Sequence, residues 1–248
     1  RITLPDQRTR IVMDAPPEKE DCHPFVNIAS LFHEAGVHVP QIIAQDLAQG
    51  FLLLSDLGGT TYLSALQDRR TAPQLYRDAN RALVAIQQTS RPGILPDYDR
   101  SLLERELALF PDWYLGQHLG LRPDAKMQNT LDAVFAALLA NNLKQPLVFV
   151  HRDYHSRNLM AIDGSFPANP GILDFQDAVY GPVTYDLVSL YRDAYIEWPE
   201  DQELDFLIRY WEDARQVGLP VHADFHDFYR DYEWMGAQRQ LKVLGIFA

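Results

Sequence analysis

The sequence contains a single cysteine, Cys22, so no disulfide can form within the chain. This cysteine usage is typical of a reducing compartment, and we expect the cytoplasm. No apolar run approaches the ~20 residues of a membrane-spanning helix, so no membrane partner is expected. Basic residues number 22 against 34 acidic ones, for a net charge of −12. This charge lacks the basic footprint of a nucleic-acid-binding protein.

The remaining composition is that of an ordinary globular protein. The 248 residues include 47% hydrophobic ones, enough for a large core in one or two domains. The chain starts at Arg1 close to a predicted strand, and it ends at Phe247-Ala248 inside a helical pattern. We therefore expect that segments are missing at both ends.

The first quarter of the chain has the pattern strand, helix, strand, strand. Residues 9–14 form a predicted strand, and a helix is expected from about Pro24 to the capping Gly36. Residues 39–44 and 51–55 are then predicted to pair as a hairpin. From residue 60 onward helical signals dominate, and a new helical turn is expected at Pro111. The predicted helices begin near Ala72, Asp99, Asp124, Asp186, Glu200 and Asp224.

The most informative stretch of the sequence is LVFVHRDYHSRNLMAIDGSFPANPGILDF, residues 147–175. Three short apolar runs in it are typical of strands, and Asp163-Gly164 indicates a turn between the second and the third. Polar residues lie at the strand ends, so Asp153, Asn158 and Asp174 are expected to come together.

Phosphoryl transfer requires such a set of groups. One carboxylate holds the attacking hydroxyl, and an amide oxygen and a second carboxylate hold Mg²⁺ against the nucleotide phosphates. The kinase pattern H-R-D-x-x-x-x-N is matched by His151, Asp153 and Asn158, and Asp174 is followed by Phe175. Gln176 stands where the usual Asp-Phe-Gly motif has glycine.

A zinc site is an alternative interpretation of the same residues. His151, Asp153 and His155 alternate, so an extended chain would place all three on one face. That interpretation leaves Asn158 and Asp174 without a role.

The motifs HRDYHSRNLM and ILDFQDAVYGPVTYDLVSL resemble the aminoglycoside phosphotransferase and choline kinase superfamily. Within it, IVMDAPPEKEDC and FLLLSDLGGTTYL are similar to anomeric sugar kinases that phosphorylate N-acetylmuramate and N-acetylglucosamine in cell-wall recycling. The resemblance covers nearly the whole chain. It implies an α+β fold of the two-lobe protein-kinase type, with a small β-rich N-lobe at residues 1–57 that is expected to be truncated. A larger helical C-lobe with a catalytic β-hairpin is implied at residues 58–248.

The resemblance also implies roles for individual residues, with ATP and Mg²⁺ as cofactors and a small-molecule sugar as substrate. Asp153 would be the catalytic base, and Asn158 and Asp174 the metal ligands. Hinge contacts to adenine would come from Ser55, Asp56 and Leu57, and support of the catalytic loop from His151 and Asp186. For Asp186 a helix N-cap is the alternative. Substrate contacts would come from Tyr154, His155, Arg157 and Asp177.

Two departures from the family pattern stand out. The strand that usually carries a phosphate-binding lysine has Met13 and Asp14 instead, and the nearest lysine is Lys19. The loop that covers the phosphates is absent and would precede Arg1.

Three alternative functions follow. The first is the same chemistry on an aminoglycoside, choline or homoserine. The second is a nucleotide-binding module without catalysis, which the missing lysine favours. The third is a zinc hydrolase. The sequence leaves the oligomeric state open.

Overall fold

The computed structural model describes every residue from Arg1 to Ala248. The helices are α1 (His23–Glu34), α2 (Tyr62–Ala65), α3 (Ala72–Gln88), α4 (Arg100–Leu109), α5 (Ala125–Asn142), α6 (Tyr185–Tyr191), α7 (Glu200–Gln216) and α8 (Phe225–Ile246). The strands are β1 (Ile2–Thr3), β2 (Thr9–Asp14), β3 (Ile42–Asp46), β4 (Phe51–Ser55), β5 (Leu147–Val150), β6 (Leu159–Met160), β7 (Gly171–Ile172) and β8 (Val179–Pro182). None of the helices combines the length and the apolar character that crossing a membrane requires.

Contacts within the chain define two compact units. The first comprises residues 1–89 and 153–178, and the second comprises residues 90–152 and 179–248. The predicted division at residue 57 separates lobes by their function, and it stays a prediction.

The first unit contains a four-stranded antiparallel sheet in the order β1-β2-β4-β3. Leu52 and Leu54 of β4 are buried with Cys22 at the start of α1. Gly50 precedes β4 with φ of +77°, and a Cβ there would lie 2.0 Å from the Ala15 carbonyl oxygen. Only glycine fits this close turn between β3 and β4.

A hairpin of β6 and β7 completes the first unit. A buried polar network that includes Asp78 of α3 holds the loop between these two strands. The side-chain amide of Asn169 donates to the Tyr62 hydroxyl and to the Asp78 carboxylate, and the backbone N–H of Phe166 also donates to Asp78. Because buried polar groups need partners, this network fixes the course of the hairpin loop.

The second unit is mainly helical, with β5 and β8 paired antiparallel. Asp99, Asp124 and Asp224 cap α4, α5 and α8, and each carboxylate accepts a backbone N–H of the first turn. Those helix starts were predicted from the same aspartates.

Most predicted elements are confirmed, and three details are wrong. The strand at residues 9–14 and the strand at residues 51–55 have the predicted bounds, whereas β3 starts at Ile42. A new helical turn starts at Pro111 as predicted, because this proline lies in the first turn of a π-type helix that follows α4 from Phe110 to His118. The helix predicted over residues 186–194 ends at Tyr191 in α6, and the strand β8 was not predicted.

Candidate active site

The side-chain amide of Asn158 joins the backbone of Asp153 to the carboxylate of Asp174. Its nitrogen donates to the Asp153 carbonyl oxygen and to Oδ2 of Asp174, both at 3.0 Å. The backbone N–H of Leu173 donates to the Asn158 carbonyl at 2.9 Å. Asn158 therefore brings the Asp174 carboxylate close to the backbone of Asp153, and a site shared with the Asp153 carboxylate stays a prediction. Since the amide nitrogen faces two acceptors, the amide oxygen is the group left for a cation.

The segment that carries Asp174 is fixed from both sides. Asp174 has a left-handed backbone, φ of 63°, a conformation found repeatedly at functional sites. The buried ring of Phe175 stacks on Phe25 of α1 with centroids 4.9 Å apart. On the other side the Gln176 side-chain amide donates to Oδ1 of Asp174 at 3.0 Å. Each carboxylate oxygen of Asp174 thus accepts one hydrogen bond from a side-chain amide. Both oxygens keep lone pairs for a cation.

Gln176 is a site residue that stands out in the sequence only as a departure from the Asp-Phe-Gly motif. Its position two residues after Asp174 was visible, but nothing in the motif indicated that its amide turns back to the carboxylate.

Asp186 holds the start of the catalytic loop within the second unit. Its two carboxylate oxygens accept the backbone N–H groups of His151 at 2.7 Å and of Arg152 at 3.0 Å. Asp186 and His151 are fully buried. Thr184, and not Asp186, occupies the N-cap position of α6. The contact is the one expected of a residue that braces the loop, and the functional role stays a prediction.

A second buried acid, Glu106 of α4, fixes the side chain of Arg152. Glu106 accepts hydrogen bonds from Arg152 and from Lys242 at 2.9 Å, and from the hydroxyl of Tyr98. Burial alone would raise the pKa of Glu106, but Lys242, Tyr98 and Arg152 hold it below its ordinary value. Glu106 and Lys242 are 136 positions apart, so no sequence motif links them.

An apolar cavity of about 240 Å³ lies in the first unit beside the same residues. Its lining includes Ile11, Phe25, Leu54, Leu57, Met160 and Leu173. Leu173 directly precedes Asp174 and Met160 follows Asn158 closely, so the cavity and the polar groups adjoin.

The three predicted hinge residues all line this cavity. Ser55 pairs with Gln41 through its backbone N–H, and its hydroxyl accepts the Gln41 N–H. Burial would raise the pKa of Asp56, but bonds from Thr9, the Gly58 N–H and Arg1 hold it below its ordinary value. The backbone N–H and C=O of Leu57 make no hydrogen bond within the protein.

The four residues predicted to contact the substrate lie in different environments. Tyr154 is fully buried and donates its hydroxyl to the Ala79 carbonyl at 2.9 Å, a packing position that does not fit a contact to substrate. His155 lies in the turn, where its backbone N–H donates to the Asp153 carbonyl. Arg157 and Asp177 are exposed. Substrate roles for these last three stay predictions.

The zinc interpretation is wrong. No three His, Cys, Asp or Glu side chains lie close enough to hold a metal ion together. The donors that do converge are carboxylate and amide oxygens, the kind that Mg²⁺ takes in small number beside water and phosphate. Asn158 and Asp174 therefore fit a magnesium ion that is shared with a nucleotide.

Met13 and Asp14, which stand at the expected position of the lysine, supply no cation there. Met13 packs on the Leu52 and Leu54 cluster, and Asp14 is exposed. Lys19 lies in an exposed turn, where its backbone N–H donates to the Pro16 carbonyl.

Comparison with known proteins identifies a family and several relatives of this chain. The model of the phosphotransferase enzyme family matches residues 1–227. The N-acetylmuramate/N-acetylglucosamine kinase of Pseudomonas aeruginosa is 52% identical, over 97% of this chain and 70% of its own length. The kinase of the same name from Neisseria meningitidis is 47% identical, over 100% of this chain and 73% of its own length.

Solved structures show the same fold at low identity. An ethanolamine kinase of Plasmodium vivax aligns with a TM-score of 0.65 at 12% identity, over 99% of this chain and 73% of that one. An ADP-bound aminoglycoside phosphotransferase aligns with a TM-score of 0.58 at 14% identity, over 94% of this chain and 88% of that one. The α+β, protein-kinase-like fold expected from the sequence is confirmed.

Proposed function

The chain belongs to the phosphotransferase enzyme family, and we propose that it transfers the γ-phosphoryl group of ATP to the anomeric hydroxyl of N-acetylmuramate or N-acetylglucosamine. The observation that carries this proposal is the pair of hydrogen bonds by which the Asn158 amide links the backbone of Asp153 to the carboxylate of Asp174. It occurs in a chain about half identical to kinases named for these two sugars.

The apolar cavity is the proposed adenine site. Apolar walls suit a purine ring, and Leu57 offers an N–H and a C=O without partners in the protein. Leu173 then leads from the base to Asp174, on the side where the phosphates would lie. This arrangement supports ATP as the phosphoryl donor.

Asp153 is the proposed general base. As the bond from the sugar oxygen to the γ-phosphorus forms, Asp153 accepts the hydroxyl proton and the bond from phosphorus to the ADP oxygen breaks. An anomeric hydroxyl is more acidic than an ordinary alcohol, so a carboxylate of ordinary basicity suffices. Catalysis then rests mainly on positioning and on charge stabilisation.

Asn158 and Asp174 are the proposed ligands of Mg²⁺. The ion, when bound, neutralises charge on the nucleotide phosphates. Asp186 and Glu106 contribute indirectly, since they fix the backbone and the side chain of the residues that precede Asp153.

Both sugars are constituents of bacterial cell walls, so we place the reaction in the reuse of wall fragments. The single buried cysteine fits a reducing cytoplasm, where ATP is available.

A panel of acceptors tests the proposal. Full-length protein with ATP and Mg²⁺ is incubated with the two amino sugars, an aminoglycoside, choline and homoserine, and ADP formation is measured. Turnover of the two sugars at least about 100-fold above the other acceptors is expected. Preference for any other acceptor would contradict the proposal.

A further inference from the structure

Asn169 is a buried residue in the loop between β6 and β7, and its side-chain amide makes three hydrogen bonds. The nitrogen Nδ2 donates to Oδ2 of Asp78 at 2.9 Å and to the Tyr62 hydroxyl at 3.0 Å. The oxygen Oδ1 accepts the backbone N–H of Ile162 at 3.0 Å. Asn169 is only 1% exposed, and the mechanism described above does not use it.

Asp78 of α3 holds this amide in place. Its carboxylate is fully buried, and its partners are neutral N–H groups of Gln74, Phe166 and Asn169. A buried carboxylate is costly unless hydrogen bonds satisfy it, and it can only accept. It therefore favours the arrangement in which N–H groups of the loop point at α3.

The hairpin of β6 and β7 lacks the usual means of fixing its own register. Each strand has two residues, and residues 161–170 between them are too many for the tight turns that set register in short hairpins. The last backbone pair is Met160 with Gly171. Two residues beyond it on both strands, the Asn169 side chain accepts the Ile162 N–H. This bond links the two strands where the backbone pairing has ended.

Other backbone bonds attach each strand separately to the first unit. The Ala161 N–H donates to the Thr60 carbonyl, and the Ile172 N–H donates to the His38 carbonyl, both at 2.8 Å. These bonds hold the strands to different segments, whereas the Asn169 side chain joins one strand to the other.

The register decides which residues face each other at the opposite end of the hairpin. Leu159 pairs with Ile172, and the Leu173 N–H then donates to the Asn158 carbonyl at 2.9 Å. Directly beyond, the side chains of Asn158 and Asp174 meet at 3.0 Å. A slip by one residue would turn one of these side chains to the other face of the hairpin.

We propose that Asn169, held by Asp78, is a positioning residue for the metal site. Its amide fixes the register of β6 and β7, and this register sets the separation of Asn158 and Asp174. The inference rests on the proposed function, which assigns Mg²⁺ to those two residues. Asn169 acts through the hairpin backbone and touches neither metal nor substrate.

Two measurements that need no turnover test this role on the full-length protein. Calorimetry gives the Kd of ADP with and without Mg²⁺, and hydrogen exchange gives the protection of the Leu173 amide. In Asn169→Ala the Ile162 N–H loses its acceptor, so exchange at Leu173 is expected to rise at least about tenfold. The tightening of ADP binding by Mg²⁺ is expected to fall about tenfold, as for other lost supports of metal ligands. The Kd of ADP without Mg²⁺ is expected to stay within about threefold.

An exchange of the two side chains separates positioning from a general loss of stability. Asn169→Asp keeps the acceptor for the Ile162 N–H but sets a second carboxylate against Asp78, so it is expected to behave like Asn169→Ala. Adding Asp78→Asn restores a donor and an acceptor in reversed order. The double variant is expected to return the effect of Mg²⁺ to within about threefold of wild type.

The control is Asn27→Ala, the same change at an exposed asparagine of α1, which is expected to match wild type in both measurements. If Asn169→Ala does not fold, the comparison of Asn169→Asp with the double variant carries the test.

The contrary outcomes are distinct. Asn169→Ala with the Mg²⁺ effect and the Leu173 exchange of wild type would overturn the role of Asn169 while the proposed function stands. A double variant that fails to fold or to reverse the loss would overturn it as well. Wild type whose ADP affinity is independent of Mg²⁺ would overturn the metal site and this inference together. Wild type that binds ADP more tightly with Mg²⁺ but phosphorylates neither sugar would overturn the proposed function alone.

Discussion

Asn158 and Asp174 are joined by a hydrogen bond of 3.0 Å between the side-chain amide and the carboxylate. The bond ties the turn after β5 to the segment after β7. It orients the amide so that its oxygen, together with the carboxylate, presents the kind of donors that Mg²⁺ prefers. The predictions below concern this pair and the residues that hold it in place.

Replacement of Asp174 by Asn should remove most of the activity without unfolding the protein. Asp174 is exposed, so its loss costs little stability, but a charged metal ligand disappears. We expect kcat to fall at least about 100-fold. Asp163→Asn, the same change at an exposed carboxylate in the hairpin turn, should retain kcat within about threefold. Equal activity of the two variants would remove Asp174 from the metal site.

Replacement of Gln176 by Ala should weaken magnesium dependence specifically. The Gln176 amide holds Oδ1 of Asp174, so its loss frees the carboxylate to rotate. The Mg²⁺ concentration for half-maximal rate is expected to rise about tenfold, as for other lost outer-shell partners of a metal ligand, while KM for the sugar stays constant. Gln67→Ala, at an exposed amide, is the control. Magnesium titrations that superimpose on wild type would contradict this role.

Replacement of Asp186 by Asn should lower stability and activity together. Both carboxylate oxygens accept backbone N–H groups, and the introduced NH₂ would face one of those donors. We expect the free energy of unfolding to fall by about 2 kcal/mol or more in urea titrations. Asp205→Asn, at an exposed pair with Arg209, should cost no more than about 0.5 kcal/mol. If the Asp186 variant were as stable as that control, the hydrogen bonds from the loop backbone to Asp186 would not be needed for stability.

Glu106 should make stability depend on acid pH. Its folded-state pKa lies below the ordinary value of 4.5, so its contribution is present above that pH and is lost as pH falls through the folded-state pKa. Glu106→Gln leaves Arg152 and Lys242 buried without their acid, at a cost of about 3–5 kcal/mol near neutral pH. In urea titrations the difference from wild type should be constant from about pH 6 upward and should shrink below about pH 4.5. A difference that grows in acid would contradict this assignment.

The parts of the site that sequence could predict are local. Asp153 and Asn158 lie in one turn, and a hairpin returns the chain to Asp174, so strand patterns and spacing suffice to bring them together. The aspartate caps of α4, α5 and α8 were likewise visible, because a cap and its helix are adjacent in the chain.

The parts that sequence could not predict depend on contacts between distant residues. Glu106 meets Lys242 only because α4 and α8 pack together, and no periodic pattern encodes that pairing. The strand β8 contains Gly181 and Pro182, which hide a strand pattern, and it is defined by pairing with β5. At Pro111 the new helical turn was predicted, but its π-type geometry was not.

The most direct test of the account is the position of the transferred phosphoryl group and its dependence on Asp153. Full-length wild type and Asp153→Asn are incubated with ATP, Mg²⁺ and N-acetylglucosamine, and the products are examined by phosphorus NMR with ADP affinity measured in parallel. The account predicts a phosphate on the anomeric carbon with wild type. With the variant it predicts no product and an ADP affinity within about twofold of wild type. A phosphate on any other carbon, or wild-type turnover by the variant, would contradict it.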